Sequence, residues 1–377
     1  MKRILITSTY FHPYLSGLTD YPLKIASELA KKHHVTVLTF QHDKKLTRRS
    51  IYEGVTIIRV PVQLRIFKGL WNFSYPFISL SLVFQSDIVF INLPQFEGSL
   101  PAFFARILGK KVYCIYNCEL MFKGFFAQVA AFVGNASAFA TCFFSQTIIA
   151  YTNDYATHSP IIKYFLYKTV AIPPPVAKFD PDPRYLSYLH HTFSKNKPII
   201  GFSGRIAREK GVEFLIKALL ILQKDYPKTT LLLAGPYGKD VVGEEKYYEE
   251  IMHLIHNSQL RVTTLGTLNK SQLASFYQVI DVLVLPSINK TEAFGMVQLE
   301  SMYVGTPVVS SNLPGVRVPI TKTRGGLLVE PANSKELARK IKQIVQNKKW
   351  FQKNALQALQ LFNIHKTYTF YENLVSR

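Results

Sequence analysis

Apolar-rich runs of four to seven residues recur along this chain, most followed by a polar or helical stretch, and few folds accommodate that pattern. RILITST (3–9), HVTVLTF (34–40), DIVFINL (87–93), KVYCIYN (111–117) and QTIIAYT (146–152) form the first series. PIIGFSG (198–204), TTLLLAG (229–235), RVTTLGT (261–267), DVLVLPS (281–287) and TPVVSS (306–311) form the second. Strands without polar alternation are buried on both faces, as in parallel sheets, whose long connections carry helices. TDYPLKIASELAKK (19–32) and VEFLIKALLIL (212–222) read as two of those helices. The expected fold class is α/β, with two Rossmann-like, doubly wound domains in succession.

Between the two series, IPPPVAKFDPDPRY (172–185) has neither helical nor strand periodicity and reads as a linker. The expected organisation is a first domain over 1–172, a linker over 173–196, a second domain over 197–353 and a helical segment over 354–377. Asp180-Pro181-Asp182 has the outline of a metal-binding Asp-x-Asp, but its place between prolines makes it structural.

The chemistry concentrates at the ends of two second-half strands. After DVLVLPS, the loop carries Glu292, and MVQLESMYV has helical spacing with Glu300 inside it. Gly295 at the helix start allows an anion to approach the amides of Met296 and Val297, where the helix dipole is positive. A carboxylate at Glu292 can accept from sugar hydroxyls or face a developing cation, and one at Glu300 can bond a ribose diol. After PIIGFSG, Gly204-Arg205 and Lys210-Gly211 place two cations where a diphosphate would lie. Taken singly, each of these charges would be a solvated surface group.

EAFGMVQLE (292–300) resembles the Glu-x7-Glu motif of glycosyltransferase family 4, the retaining group 1 glycosyl transferases, and GTPVVSSNLPGVR, GGLLVEPAN and GRIAREKG resemble its continuation. The resemblance implies a GT-B fold, two Rossmann-like domains facing a central cleft, with the last helix crossing back to the first domain. It assigns Arg205 and Lys210 to the donor diphosphate, Glu300 to the ribose and Glu292 to the transferred sugar as the catalytic carboxylate. Gly204, Phe294, Gly295, Met296 and Val297 complete the donor contacts. The co-substrate it implies is a UDP- or GDP-linked sugar, with no metal. A nucleotide-sugar epimerase and a catalytically inactive homologue are the alternatives.

The first half departs from the family pattern. YFHPYLSGL (10–18) resembles the family's first loop, but where paired glycines are usual only Gly17 is present; His12 there is either a structural cap or a ligand contact. After KVYCIY, Asn117 stands where relatives often have histidine. Asparagine bonds a hydroxyl but cannot shuttle a proton at neutral pH, which leaves Glu119 as the local candidate base.

The net charge of +21 is spread over both halves, without a basic tail, a zinc spacing or an aromatic RNA motif, and this argues against a nucleic-acid-binding protein. Three cysteines, Cys114, Cys118 and Cys142, do not make a disulfide framework, and Cys-x3-Cys without a nearby histidine is a poor zinc site. The apolar run at the start is too short for a signal core, so a cytoplasmic protein is expected. The uncharged stretch from Gly124 to Asn153 reads as a buried or membrane-contacting helix pair followed by a strand, its polar residues arguing against a span. With Lys44, Lys45, Arg48 and Arg49, it suggests an enzyme peripheral to an anionic membrane face, acting on a glycan or lipid-linked acceptor.

Overall fold

The computed structural model describes residues 1–14, 16–66, 69–121, 124–241 and 243–376, so that Leu15 and Arg377 of the segments discussed above lie outside the described residues. The chain forms two compact units, Met1–Pro175 with Ile364–Arg377, and Val176–Asn363.

In the first unit the strands are β1 (Arg3–Thr7), β2 (His34–Phe40), β3 (Arg49–Tyr52), β4 (Val55–Val60), β5 (Leu64–Ile66), β6 (Gly69–Trp71), β7 (Ile88–Leu93), β8 (Lys111–Tyr116), β9 (Thr147–Ala150) and β10 (Thr169–Ala171). Eight of them make one sheet in the order β10-β9-β8-β7-β1-β2-β4-β3, while β5 and β6 pair separately. Every pairing in the large sheet is parallel except β3 with β4. Tyr52 faces Val55 across a two-residue turn, and Glu53 and Gly54 both have positive φ (48° and 77°), as a tight hairpin turn requires. The chain leaves β1 toward β2 and later returns to its other side as β7, so the switch point lies between β1 and β7.

The uncharged stretch contains one helix, Phe125–Phe144, rather than the expected pair. Its polar residues do not break it, because they bond within the unit. Asn135 accepts from Leu120 N and donates to Leu120 O, both at 3.0 Å, and Ser137 Oγ lies 3.1 Å from Ser99 Oγ. Within it, Ala127–Phe144 is long and apolar enough to cross a membrane. It is nevertheless the crossover between the neighbouring parallel strands β8 and β9.

The second unit has β11 (Ile199–Ser203), β12 (Thr230–Ala234), β13 (Arg261–Gly266), β14 (Val282–Leu285), β15 (Val308–Ser311) and β16 (Gly326–Val329), all parallel, in the order β13-β12-β11-β14-β15-β16. Its switch point lies between β11 and β14. Leu215, Ile216 and Leu219 of helix Val212–Leu222 are buried against Phe202, Leu231 and Val284 of the sheet and Ile341 and Ile344 of helix Ser334–Gln346.

Two expected boundaries move. The linker expected over 173–196 contains helix Pro183–Phe193. Asp182 caps it, accepting from the amides of Arg184 (2.9 Å) and Tyr185 (3.1 Å), and Pro183 supplies a pre-set φ at the first turn. Leu189 and Phe193 are buried, and the Asp182 carbonyl accepts from Ser275 Oγ at 3.0 Å, so this segment belongs to the second unit. At the other end, the residues that return to the first unit begin at Ile364 rather than at 354. Helix Ile364–Ser376 is held there by Tyr371, whose hydroxyl lies 2.6 Å from that of Tyr21, and by Glu372, which pairs with Lys32 at 2.9 Å.

Candidate active site

The carboxyl edge of the second sheet brings the loops after β11 and β14 together. Gly211 has φ +65°, and a Cβ there would sit 2.3 Å from the Pro286 carbonyl oxygen and 2.9 Å from Ile288 Cγ2. The Ile288 amide donates to the Glu209 carbonyl at 3.0 Å. The two loops therefore touch through backbone, and only glycine fits at the contact. From this zipped pair, Lys210 Nζ donates to Glu292 Oε2, and Ser287 Oγ donates to the same oxygen at 3.3 Å. Both members of this ion pair are mostly shielded from water. Arg205, at the start of the first loop, pairs with Glu209 at 2.8 Å and keeps part of its guanidinium exposed.

Helix Met296–Tyr303 opens from the second loop, and the amides of Met296 and Val297, in its first turn, have no intrahelical acceptor. Gly295 has φ +74°, and a Cβ there would lie 2.5 Å from Leu285 Cδ2 and 2.7 Å from Gln298 Nε2. Its requirement is thus for packing and backbone conformation, whether or not an anion approaches. Phe294 is buried with its ring 6.0 Å from that of Phe362, so its side chain belongs to the core. Glu300 accepts from the Tyr277 hydroxyl at 2.8 Å, and that phenol lies 3.1 Å from Ser203 Oγ at the end of β11. Burial, then the Glu300 carboxylate, pushes the Tyr277 phenol well above its usual range, so it stays a donor at any working pH. Phe179, Lys270 and Tyr277 line a shallow recess with Glu300, and Lys270 Nζ sits 5.0 Å over the Phe179 ring. Sequence reasoning missed Tyr277 and Ser287, whose roles depend on strand order.

The first unit distributes its expected site residues differently. Gly17 is the exposed first residue of helix Gly17–Ala30, behind Ser16, whose amide donates to Thr19 Oγ1 at 3.0 Å. His12 stacks on Tyr52 with ring centroids 3.7 Å apart, and its carbonyl accepts from Arg59 at 2.9 Å, a structural arrangement. Burial, then the Arg59 charge, lowers its imidazole pKa. Asn117 is buried, donates to Asn92 Oδ1 at 3.0 Å and accepts from the Tyr151 hydroxyl. Glu119 corrects the expectation of a local base. It is buried, one oxygen accepts from Tyr155, and the other accepts from Ser159 and from Tyr116 at 3.3 Å. Those bonds anchor β8 to the helix Asn153–His158 and the segment after it, and leave the carboxylate committed to the fold.

Glu97 was not singled out in the sequence, yet it is the unusual carboxyl of this unit. Thr9 and Gln95 donate to its Oε1 at 3.4 and 2.9 Å, while Oε2 has no hydrogen-bond partner among the described residues. Gln95 in turn accepts from Thr7 at the end of β1 at 3.0 Å. Burial pushes the Glu97 pKa up from 4.5 to about 7. Between those values the folded protein keeps a proton that the unfolded chain has released, so this group costs about 3 kcal/mol of stability as pH rises from 4.5 to about 7. Glu97→Gln is expected to remove that slope. Urea midpoints of variant and wild type should agree at about pH 4, below the unfolded value, and differ at about pH 8, with the variant the more stable; parallel pH curves would place a charged Glu97 in the fold.

The sequence profile of the family Glycosyl transferases group 1 matches residues 190–358, wholly inside the second unit. By that match, residues 190–358 are similar to the group 1 glycosyl transferases. Over 135 residues the chain is 36% identical to a D-inositol 3-phosphate glycosyltransferase of Corynebacterium urealyticum, covering 35% of this chain and 31% of that one. Over 169 residues it is 27% identical to the capsular polysaccharide biosynthesis glycosyltransferase CapM of Staphylococcus aureus, covering 45% and 42%. The match thus spans about a third to two fifths of the length of these curated relatives. Among solved structures, Anabaena Alr3699/HepE in complex with UDP superimposes with a TM-score of 0.79 at 21% identity, covering all of both chains. Sucrose-phosphate synthase from Thermosynechococcus elongatus gives 0.77 at 20% identity over 100% and 98%. The fold is therefore of GT-B type, two Rossmann-like units. The group 1 segment contains Gly204, Arg205, Lys210, Glu292, Phe294, Gly295, Met296, Val297 and Glu300, while Gly17, His12, Asn117 and Glu119 lie outside it.

Proposed function

We propose that this chain transfers a hexosyl group from a UDP- or GDP-linked sugar to a hydroxyl of a glycan or lipid-linked acceptor, with retention of anomeric configuration and without a metal ion. The observation that carries the reading is the Lys210–Glu292 pair at the switch point of the group 1 segment, beside Arg205 and the open amides of helix Met296–Tyr303. In this reading the bond from the sugar's anomeric carbon to the diphosphate breaks, and its electron pair leaves with the diphosphate. Arg205, Lys210 and the amides of Met296 and Val297 take up that negative charge, which grows toward the transition state. The Glu292 carboxylate faces the positive charge left on the sugar, and Glu300, oriented by Tyr277, accepts from the ribose. The acceptor oxygen attacks from the same face, and its proton passes to the departing phosphate oxygen. The internal commitments of Glu119 support that route over a protein base.

Calorimetric titration with UDP, GDP and ADP in the presence of chelator tests the donor half. Selective binding of one nucleotide is expected, and Arg205→Ala should weaken it by ~1.5–3 kcal/mol, the scale of a hydrogen bond to a charged group. Folded protein that binds none of the three would overturn the reading.

A further inference from the structure

The first unit presents an apolar helical face that its own core does not cover. The connections β4 to β7, β7 to β8 and β8 to β9 all step toward the β10 edge of the sheet. Right-handed crossovers then place helices Tyr75–Gln85, Ser99–Ile107 and Phe125–Phe144 in one layer, and each contacts the next. Two of these helices carry no charged residue. Their outward side chains include Phe77 (74% exposed), Phe84 (68%), Phe132 (74%) and Phe143 (63%), joined by Ile107 (66%) from the middle helix. A contiguous water-facing apolar layer of this kind marks an interaction surface.

Among the described residues, the exposed charges on and beside these helices are basic. Lys110 lies 6.0 Å over the Phe84 ring and donates to the Phe84 carbonyl at 3.2 Å, at one side of the layer. Arg106 is exposed in the middle helix, and Lys163 lies 5.0 Å over the Tyr164 ring at the other side. The acids of the same stretch are buried or have partners: Glu97 and Glu119 are buried, Asp87 accepts from the Arg3 amide at 2.8 Å, and Asp154 lies 3.6 Å from the His158 ring. Apolar rings framed by lysine and arginine match the acyl boundary and the anionic headgroups of a bilayer surface, with the cations reaching headgroup depth. Helix Phe125–Phe144 spans nothing in such an arrangement, because it connects β8 to β9 of one sheet.

We propose that this helical layer docks the protein on an anionic lipid bilayer, with Phe77, Phe84, Phe132 and Phe143 in the interface and Arg106, Lys110 and Lys163 on the headgroups. The inference stands on the first unit alone, independent of the donor reading. Sedimentation of the full chain with vesicles of phosphatidylglycerol and phosphatidylcholine tests it. Binding is expected at low salt, with at least a tenfold loss in 0.5 M salt or with phosphatidylcholine alone. Phe77→Ser/Phe84→Ser/Phe132→Ser should lose at least tenfold in partitioning while keeping its thermal midpoint and its nucleotide affinity. No sedimentation of wild type with the anionic vesicles overturns the proposal, and so does a triple variant that is folded and partitions like wild type. A wild-type dimer that the same substitutions dissociate, without vesicle binding, assigns the face to a second copy and also overturns it. Should the triple variant not fold, the salt and lipid dependence of the wild type decides.

Discussion

Glu292→Gln is expected to slow sugar transfer by roughly 10²–10³-fold, the cost of losing one preorganised electrostatic contact to a transition state. Nucleotide affinity should hold or rise. The amide keeps the carboxylate's shape and can still accept from Ser287, but it no longer neutralises Lys210, whose ammonium becomes freer for a diphosphate. A loss in kcat without a loss in nucleotide binding separates a group that acts on the reacting sugar from one that holds the donor. Turnover measured with the donor that calorimetry selects provides the check, and unchanged turnover removes Glu292 from the reaction.

Gly211→Ala is expected to destabilise the second unit by about 2–5 kcal/mol and to weaken donor binding together with it. The left-handed backbone contributes roughly 1–2 kcal/mol for a residue with a Cβ. The methyl group would also meet the Pro286 carbonyl, and forcing a tight contact apart costs roughly 1–3 kcal/mol more. Gly109→Ala is the control. Its φ is +66°, nearly the same, but nothing lies within 4 Å of the added Cβ, so only the backbone cost of roughly 1–2 kcal/mol is expected. Urea denaturation of both variants, beside nucleotide titration of Gly211→Ala, reads the difference. Equal losses would mean that the two loops are not held by this contact.

Elements with an unbroken period were legible in the sequence. VEFLIKALLIL is the helix Val212–Leu222, and HVTVLTF is β2, because in each the apolar period and the breakers at its ends agree. The hairpin of β3 and β4 was not, since RSIY is short and half exposed at a sheet edge, although Glu-Gly before VTIIRV is a turn signal. Helix Pro183–Phe193 escaped notice because the proline that starts it was read only as a breaker. Within the candidate site, the residues close in sequence to a motif were found, and their partners were not. Glu300 was legible, but Tyr277 reaches it from a preceding helix. Glu119 looked like a base in sequence because its three hydroxyl partners, at 116, 155 and 159, are contributed by the fold. Glu97 was passed over for the opposite reason: nothing in PQFEGSL announces that its carboxyl is buried among Thr9 and Gln95.

The first unit recruits helix Ile364–Ser376 after the chain has passed through the whole of the second. During synthesis the second unit, a continuous run from Val176 to Asn363, can close before the first is complete. The usual amino-to-carboxyl order of domain maturation is thereby inverted. At ribosomal speeds the first sheet waits on the order of tens of seconds for the residues that bring Tyr371 to Tyr21. Over that interval the surface which helix Ile364–Ser376 will cover, together with the apolar helical layer, is open to chaperones or to a membrane. A released chain truncated before Ile364 would therefore present a complete second unit tethered to an unfinished first one.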